Sequence, residues 1–325
     1  MKTDQVRMSE DVDWSSAKDM DSNNEEMQER TLAPGLYLVA TPIGNLEDIT
    51  LRALRVLRTV DRIACEDTRQ TQKLLNHYEI RTPTVSYHMH NEAGRAIELA
   101  VALKTGARIA VVSDAGTPGI ADPGGQIAAA AIAAGVAVYA VPGANAAISA
   151  LVASGLAGSA VAENGSNAEQ FTFNGFLPSK QGQRRTALEA LRQKSDASIG
   201  TQIFYEAPHR ILETLSDIQT IFGPTQHVVV ARELTKLHEE YLRGAVGEVR
   251  KRLAERGSVR GEIVLLFLPT TDFDSVSPAS SIAAEVRALM ASENLAEKDA
   301  LKRVARVRGM GKSEAYRELQ RDRSR

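Results

Sequence analysis

The chain has 325 residues, is 43% hydrophobic and 25% charged, and carries a formal net charge of -2; these ordinary globular values allow a sizeable buried core and one to three domains. Its one cysteine, Cys65, excludes an intramolecular disulfide framework and suits a reducing cytoplasm, and no apolar run reaches the ~18 residues of a membrane span. Charge is unevenly placed: residues 1–30 carry nine acids against four bases, and from Lys298 onward ten Lys and Arg stand against four acids. The basic end reads either as a nucleic-acid contact or as a solvated helical face.

Residues 1–33 are polar, acidic and aperiodic, which predicts a disordered tail that is neither a secretory signal nor a transit peptide. From residue 34 to 156 strand and helix patterns alternate. Strands are expected at Leu36–Ala40, Arg62–Cys65, Thr84–Tyr87, Arg108–Ser113 and Val136–Val141, with helices at Leu51–Val60, Thr68–Tyr78, Asn91–Lys104, Gln126–Ala134 and Ala144–Ser154. Such alternation predicts a largely parallel sheet covered on both faces. Small and polar residues at 157–170 mark a connector and the domain boundary.

A second α/β unit is expected over 171–269. Its strands read as Gln170–Phe176, Thr201–Tyr205, His227–Arg232 and Glu262–Leu268, its helices as Arg184–Lys194, Ile211–Ile221 and Val246–Glu255, with a charged stretch after Arg232 and mixed strand directions. Residues 270–280 read as a linker. Ser281–Ser292, Glu297–Val307 and Ser313–Asp322 then form three short helices of a basic appendage, 281–325. The expected fold class is α/β, two α/β domains with a small helical appendage.

The candidate chemistry lies where strands end. The richest stretch is Arg108–Gly125, RIAVVSDAGTPGIADPGG, in which a buried strand breaks at Ser113-Asp114 into a loop of small residues before an alanine-rich helix. A carboxylate and glycines at the carboxyl end of a parallel strand make room for a ligand. The first strand runs into Thr41-Pro42-Ile43-Gly44-Asn45, where Asn45 or Asp48 is expected to cap the next helix. It is not G-x-G-x-x-G, so dinucleotide binding loses its marker. Glu66-Asp67-Thr68-Arg69 ends the second strand and reads equally as a polar-substrate or general-base site and as a capping cluster with Thr68 as N-cap.

His88-Met89-His90-Asn91 has no cysteine or acidic triad to complete a metal site, so no metal is expected and a phosphate or ribose contact is preferred. Pro142-Gly143-Ala144-Asn145 precedes a helix whose free N–H groups suit an anion or a nucleobase edge. In the second unit, Phe171 to Phe176 alternates aromatics as a core face does, with Gly175-Phe176-Leu177-Pro178 able to wall a cleft; Tyr205 to Arg210 and Ala231 to Lys236 end further strands in polar groups. Gly309-Met310-Gly311-Lys312-Ser313 lacks the earlier glycine of a P-loop, Arg306 standing there, so Ser313 reads as a helix cap.

Taken in order, LVATPIGNLEDIT, CEDTR, YHMHNE, VVSDAGTPGIADPG, VPGANAAISAL, FNGFLP, FYEAPHR, ARELTK and GEIVLL closely resemble the tetrapyrrole-methylase-like (class III) S-adenosylmethionine-dependent methyltransferases, in the branch that acts on small-subunit ribosomal RNA. The resemblance runs from about Gly35 to Leu268, and Pro142-Gly143-Ala144-Asn145-Ala146 departs from the Pro-Gly-Pro-Ser-Ala-like form of many relatives. It implies a homodimer, S-adenosyl-L-methionine as cofactor in a cleft between two domains, and methylation of a cytidine ribose 2′-oxygen in the decoding region of 16S rRNA in the small ribosomal subunit. By motif match, Pro42, Ser113, Asp114, Ala115, Gly116, Thr117, Ile120 and Ala121 line the cofactor pocket, with Pro142, Ala144, Phe176, Ala231 and Gly261 as additions.

Their place at a strand end makes Glu66 or Asp67 the expected base, with Arg69 holding phosphate. Arg303, Arg306, Arg308, Lys312 and Arg317, together with Lys302, are the expected rRNA phosphate grip. Two alternatives stand beside this: methylation of a tetrapyrrole or corrin precursor, and a non-catalytic RNA-binding assembly factor.

Overall fold

Five short apolar runs build the first sheet in the computed structural model, which describes residues 32–88, 91–157, 170–193, 200–269, 296–307 and 315–317 together with Val286, Met290 and Leu319. The acidic tail, Met89, His90, nearly all of the connector and most of the first and third C-terminal helices expected from sequence lie outside the described residues. The chain divides into two compact units between Ala146 and Ala147.

In the first unit β1 (Gly35–Val39), β2 (Arg62–Cys65), β3 (Thr84–Ser86), β4 (Arg108–Val112) and β5 (Val138–Val141) form one sheet in the order β3-β2-β4-β1-β5. Every pairing is parallel. The two-residue period of a strand sends alternate side chains to opposite faces. Tyr37, Val39, Ile63, Cys65, Ala110 and Val112 pack under α1 (Leu51–Thr59) and α2 (Thr68–His77). Leu36, Ala64, Ile109 and Val111 pack with Leu99 and Leu103 of α3 (Glu92–Lys104) and Ile127 and Ala131 of α4 (Gly125–Ala133). Both faces are covered, as the near-continuous apolar strands require.

Capping differs from the expectation. Asn45 accepts from Glu47 N and caps only a short 3-10 turn, Leu46–Asp48; Thr50 caps α1 by accepting from Ala53 N. Asp67, not Thr68, caps α2, because its carboxylate accepts from Arg69 N at 2.8 Å.

The second unit begins with α5 (Ala146–Ser154), a helix read from sequence as closing the first domain. Within the second unit the Arg243 guanidinium donates to the Ala153 and Ser154 carbonyls at its C-terminus, and the Tyr241 hydroxyl donates to Ser149 O at 3.4 Å. A cation at a helix C-terminus meets the negative end of its dipole.

Strands β6 (Phe171–Phe176), β7 (Thr201–Glu206), β8 (His227–Arg232), β9 (Glu240–Ala245) and β10 (Ile263–Phe267) form the second sheet in the order β6-β7-β10-β8-β9. Only β6 and β7 pair in parallel, so the expected mixture of directions is present. Strand β9 lies in the stretch after Arg232 for which the sequence predicts only charge. Its edge position explains the polarity: only Leu242 is buried in Glu240–Ala245.

Three helices, α6 (Gln181–Gln193), α7 (Ile211–Phe222) and α8 (Val246–Ala254), cover a core of Leu215, Ile218, Phe222, Val230, Val249, Leu265 and Phe267. Arg184 is completely buried in this unit, with Nε 2.7 Å from Asp217 Oδ2, while Arg185 holds the other carboxylate oxygen at 2.7 Å. In α9 (Glu297–Val307), Ala300, Val304 and Ala305 pack with Val286, Ala315 and Leu319. Among the described residues no helix is long and apolar enough to cross a membrane.

Candidate active site

All five strands of the first sheet run in parallel, so their carboxyl ends share one edge, where open α/β sheets hold ligands. The loops there are stitched to one another. Thr41 and Gly116 exchange backbone hydrogen bonds of 2.9 and 3.0 Å, joining the loops after β1 and β4. Thr41 Oγ1 donates to Ser113 O at 3.2 Å, and Ser113 Oγ lies 3.1 Å from Gly116 O, so both buried hydroxyls serve the turn itself. Thr117 Oγ1 donates to Ala144 O at 3.1 Å, bringing in the loop after β5. The loop after β2 joins through Asp67 N, which donates to Asp114 Oδ1 at 3.1 Å.

The same loop holds left-handed backbone. Gly116 has φ of +85°, and a Cβ there would meet Ile43 Cγ2 at 3.2 Å. Ala121, which has a side chain, nevertheless sits at φ 62°. Non-glycine residues held in this region cluster at ligand clamps and active sites.

The electrostatics are acidic. The segment Ser113–Asp122 contains no lysine or arginine. Burial, with the Glu66 and Asp114 charges, pushes the Asp122 carboxyl up to about 6. Burial, and then Asp114, also raise Glu66. Asp67 behaves oppositely: hydrogen bonds from the Arg69 side chain and backbone hold it down to about 2. Its two oxygens take Arg69 Nε at 3.1 Å and Nη2 at 3.0 Å.

The edge thus gathers Pro42, Ser113, Asp114, Ala115, Gly116, Thr117, Ile120, Ala121, Pro142 and Ala144 on three stitched loops, with Glu66 and Asp67 on a fourth and Arg69 in the first turn of α2. Asp114, Ala115, Ala121 and Pro142 are exposed, Ile120 is 39% exposed, and Pro42 is buried. Asp122 and Glu92 stand outside the residues expected to form the site, although an acid two residues ahead of a Gly-Gly helix start is a visible signal for the first.

The second-unit candidates have their own settings. Ala231 is fully buried between β10 and β9. Gly261, at φ +89°, is covered by the Glu233 side chain, and a Cβ there would lie 2.4 Å from it. Phe176 is 57% exposed and Phe171 is 48% exposed, so this aromatic alternation does not make a closed core face; Phe176 stacks edge-on to Tyr205. Glu206, fully buried, binds Arg210 at 3.0 Å and accepts from Thr214 Oγ1 at 2.6 Å, which spends the acid of Tyr205–Arg210 inside the unit. In the appendage Arg303 and Arg317 are exposed; the Arg306 side chain, Arg308 and Lys312 lie outside the described residues.

Comparison with known proteins places this geometry. The model of the family Tetrapyrrole (Corrin/Porphyrin) Methylases matches residues 35–250. A protein of Halalkalibacterium halodurans named ribosomal RNA small subunit methyltransferase I is 43% identical over 89% of this chain and 96% of its own length. A protein of the same name from Synechocystis sp. is 47% identical over 79% of this chain and 87% of its own. Among solved structures, a conserved protein of Aeropyrum pernix K1 superposes with a TM-score of 0.56 at 16% identity, over 90% of this chain and 98% of that one. Diphthine synthase does so at 0.52 and 13%, over 74% and 93%; these two likenesses speak to fold alone. With its parallel first sheet, its mixed second sheet and a family match that covers the first sheet and four of the five strands of the second, the chain belongs to the tetrapyrrole (corrin/porphyrin) methylase family.

Proposed function

We propose that this protein transfers a methyl group from S-adenosyl-L-methionine to the ribose 2′-oxygen of a cytidine in the decoding region of 16S rRNA, acting on the small ribosomal subunit in the cytoplasm. The observation that carries the reading is the stitched carboxyl edge, a strained small-residue loop walled by Glu66, Asp114 and Asp122. The shared name of relatives 41–47% identical supports ribosomal RNA over a tetrapyrrole as acceptor. A transferase, rather than an idle assembly factor, accounts for the strain and acidity.

The residues present fit this donor. It is a cation with an adenosine and an amino-acid tail, and the loop offers carboxylates, no competing lysine or arginine, and small exposed residues at Ala115 and Ala121. When bound, the cofactor supplies an electrophilic methyl group on sulfur. The protein's task is then alignment, which supplies about 7–11 kcal/mol in favourable cases. The stitches from Thr41, Thr117 and Asp67 keep the aligning loops in register.

A ribose hydroxyl loses its proton as it attacks, and Glu66 is the better acceptor of the two expected acids. Burial and the Asp114 charge raise its affinity for a proton, whereas Asp67 is committed to Arg69 and the α2 cap. Arg69, with its side chain 87% exposed, remains able to meet a phosphate. Single-turnover methylation across pH tests these roles: Glu66→Gln slows transfer and flattens the pH profile, and Asp67→Asn does so less. Equal rates in both variants and the parent remove Glu66 as base and leave alignment with water.

Arg303, Arg306, Arg308, Lys312 and Arg317 are proposed to grip rRNA phosphates from the appendage, whose α9 buries Ala300 and Val304 while leaving Lys302 and Arg303 outward. Homodimer formation is supported by α3 and α4, which pack together and expose Ile97 (70%), Val101 (60%) and Ile132 (65%).

A further inference from the structure

His88–Asn91, the stretch expected from sequence to contact phosphate or ribose, is flanked by two residues that turn inward. Tyr87 is 1% exposed and Glu92 is 7% exposed. The Tyr87 hydroxyl donates to Glu92 Oε1 at 2.9 Å, and Gly124 N donates to the same oxygen at 3.3 Å. Burial and the Glu92 carboxylate hold the phenol proton firmly, so Tyr87 stays a donor. Among the described residues the turn supplies no cap of its own: Gly124 is the N-cap of α4 and has no side chain to cap with, and the first turn of α4 contains no acid.

Helix N-termini need acceptors for their free N–H groups and favour negative charge. In a capping box the glutamate three residues into a helix reaches back to the N-cap N–H of its own helix. Here Glu92, in the first turn of α3, performs that service for the N-cap of α4.

The place it grips matters. Gly124 lies at φ +144°, with its Cα so close to the loop that a Cβ would meet Gly119 N at 3.0 Å and the Pro118 carbonyl carbon at 3.3 Å. Gly119 N in turn donates to Pro123 O at 3.2 Å, and Ala121 is strained between them. A hold on Gly124 N therefore fixes the closing end of the small-residue loop, whose opening end is fixed by Thr41 and Ser113.

We infer that Glu92 is a positioning residue for methyl-donor binding: it touches neither donor nor acceptor, but caps α4 from α3 and so sets the conformation of Thr117–Asp122. This rests on the methyl-donor reading above. The acceptor oxygen carries the effect, so a glutamine should substitute where an alanine cannot.

The test uses the full chain with S-adenosylmethionine and S-adenosylhomocysteine in calorimetry, together with amide hydrogen exchange. Glu92→Ala should weaken both ligands about tenfold or more, and Glu92→Gln should return to within about threefold of the parent. Tyr87→Phe, which leaves Glu92 in place, should fall between them. Exchange over residues 117–128 should quicken in Glu92→Ala and not over residues 35–65. Rescue by glutamine separates positioning from a general loss of packing. Parent-like affinity in Glu92→Ala, or equal losses in the alanine and glutamine variants, overturns the inference. If the parent itself ignores both ligands, the methyl-donor reading fails, and the hydrogen-exchange arm still decides whether Glu92 holds the loop.

Discussion

Replacing Asp122 with asparagine probes the acidity of the loop, and its effect has a sign that depends on pH. The carboxyl is raised from 3.8 to about 6 by burial and by the Glu66 and Asp114 charges. A folded-state value above the unfolded one means that this group contributes stability below about pH 3.8 and loses it as pH rises through about 6. Above that point the native state carries a carboxylate it disfavours. A rise of about two pKa units corresponds to about 3 kcal/mol at most, and partial solvent access reduces this to roughly 1–2 kcal/mol.

Asp122→Asn removes the window. Its stability relative to the parent should therefore be greater near pH 7 than near pH 4 by roughly 1–2 kcal/mol, a gain in melting temperature of roughly 2–8 °C. Thermal melts at the two pH values read it directly. A cationic donor beside the carboxylates should also drive the Asp122 proton off, so calorimetry near pH 6 in buffers of different ionisation enthalpy should show proton release in the parent and less in the variant. A stability difference that is the same at both pH values, or larger at the acidic one, refutes the reasoning.

Four further outcomes follow from the same geometry. Gly124→Ala forces a side chain into a left-handed position against the backbone of Pro118 and Gly119, and should cost about 1–3 kcal/mol in denaturant melts while weakening donor binding. Asp217→Ala strands the buried Arg184, whose other carboxylate, Glu213 at 3.2 Å, is itself 66% exposed, so a loss of about 3 kcal/mol or more is expected; Arg184→Met should cost less, because Arg185 still holds Asp217. Deleting residues 281–325 should leave donor affinity intact and make the salt dependence of small-subunit binding shallower, seen by filter binding. Ile97→Glu combined with Val101→Glu should convert a dimer to monomers in sedimentation velocity, since both side chains lie outward on α3.

What the sequence made legible follows the physics of each signal. Buried parallel strands carry a strong apolar signature, so β1, β2 and β4 and the helices between them were placed to within a residue or two. The edge strand β9 was not, because a strand with one neighbour and little burial keeps charged residues. A carboxylate and a glycine after an apolar run, as at Asp114 and Gly116, made the loop at the end of β4 legible. Long-range pairings were not: nothing local indicates that Asp67 donates its backbone N–H to Asp114, or that Glu92 serves a helix 32 residues away. Nor does anything local show that Glu206 and Arg210 are tied to each other inside their unit, or that Tyr87 and Glu92 turn into the first.

The account is tested most directly by incubating the protein with methyl-labelled S-adenosylmethionine and small ribosomal subunits from cells lacking it, then digesting the 16S rRNA to nucleosides. Label recovered as 2′-O-methylcytidine from the decoding region is the predicted result. Label on a base, or transfer only to a tetrapyrrole offered in parallel, would contradict it.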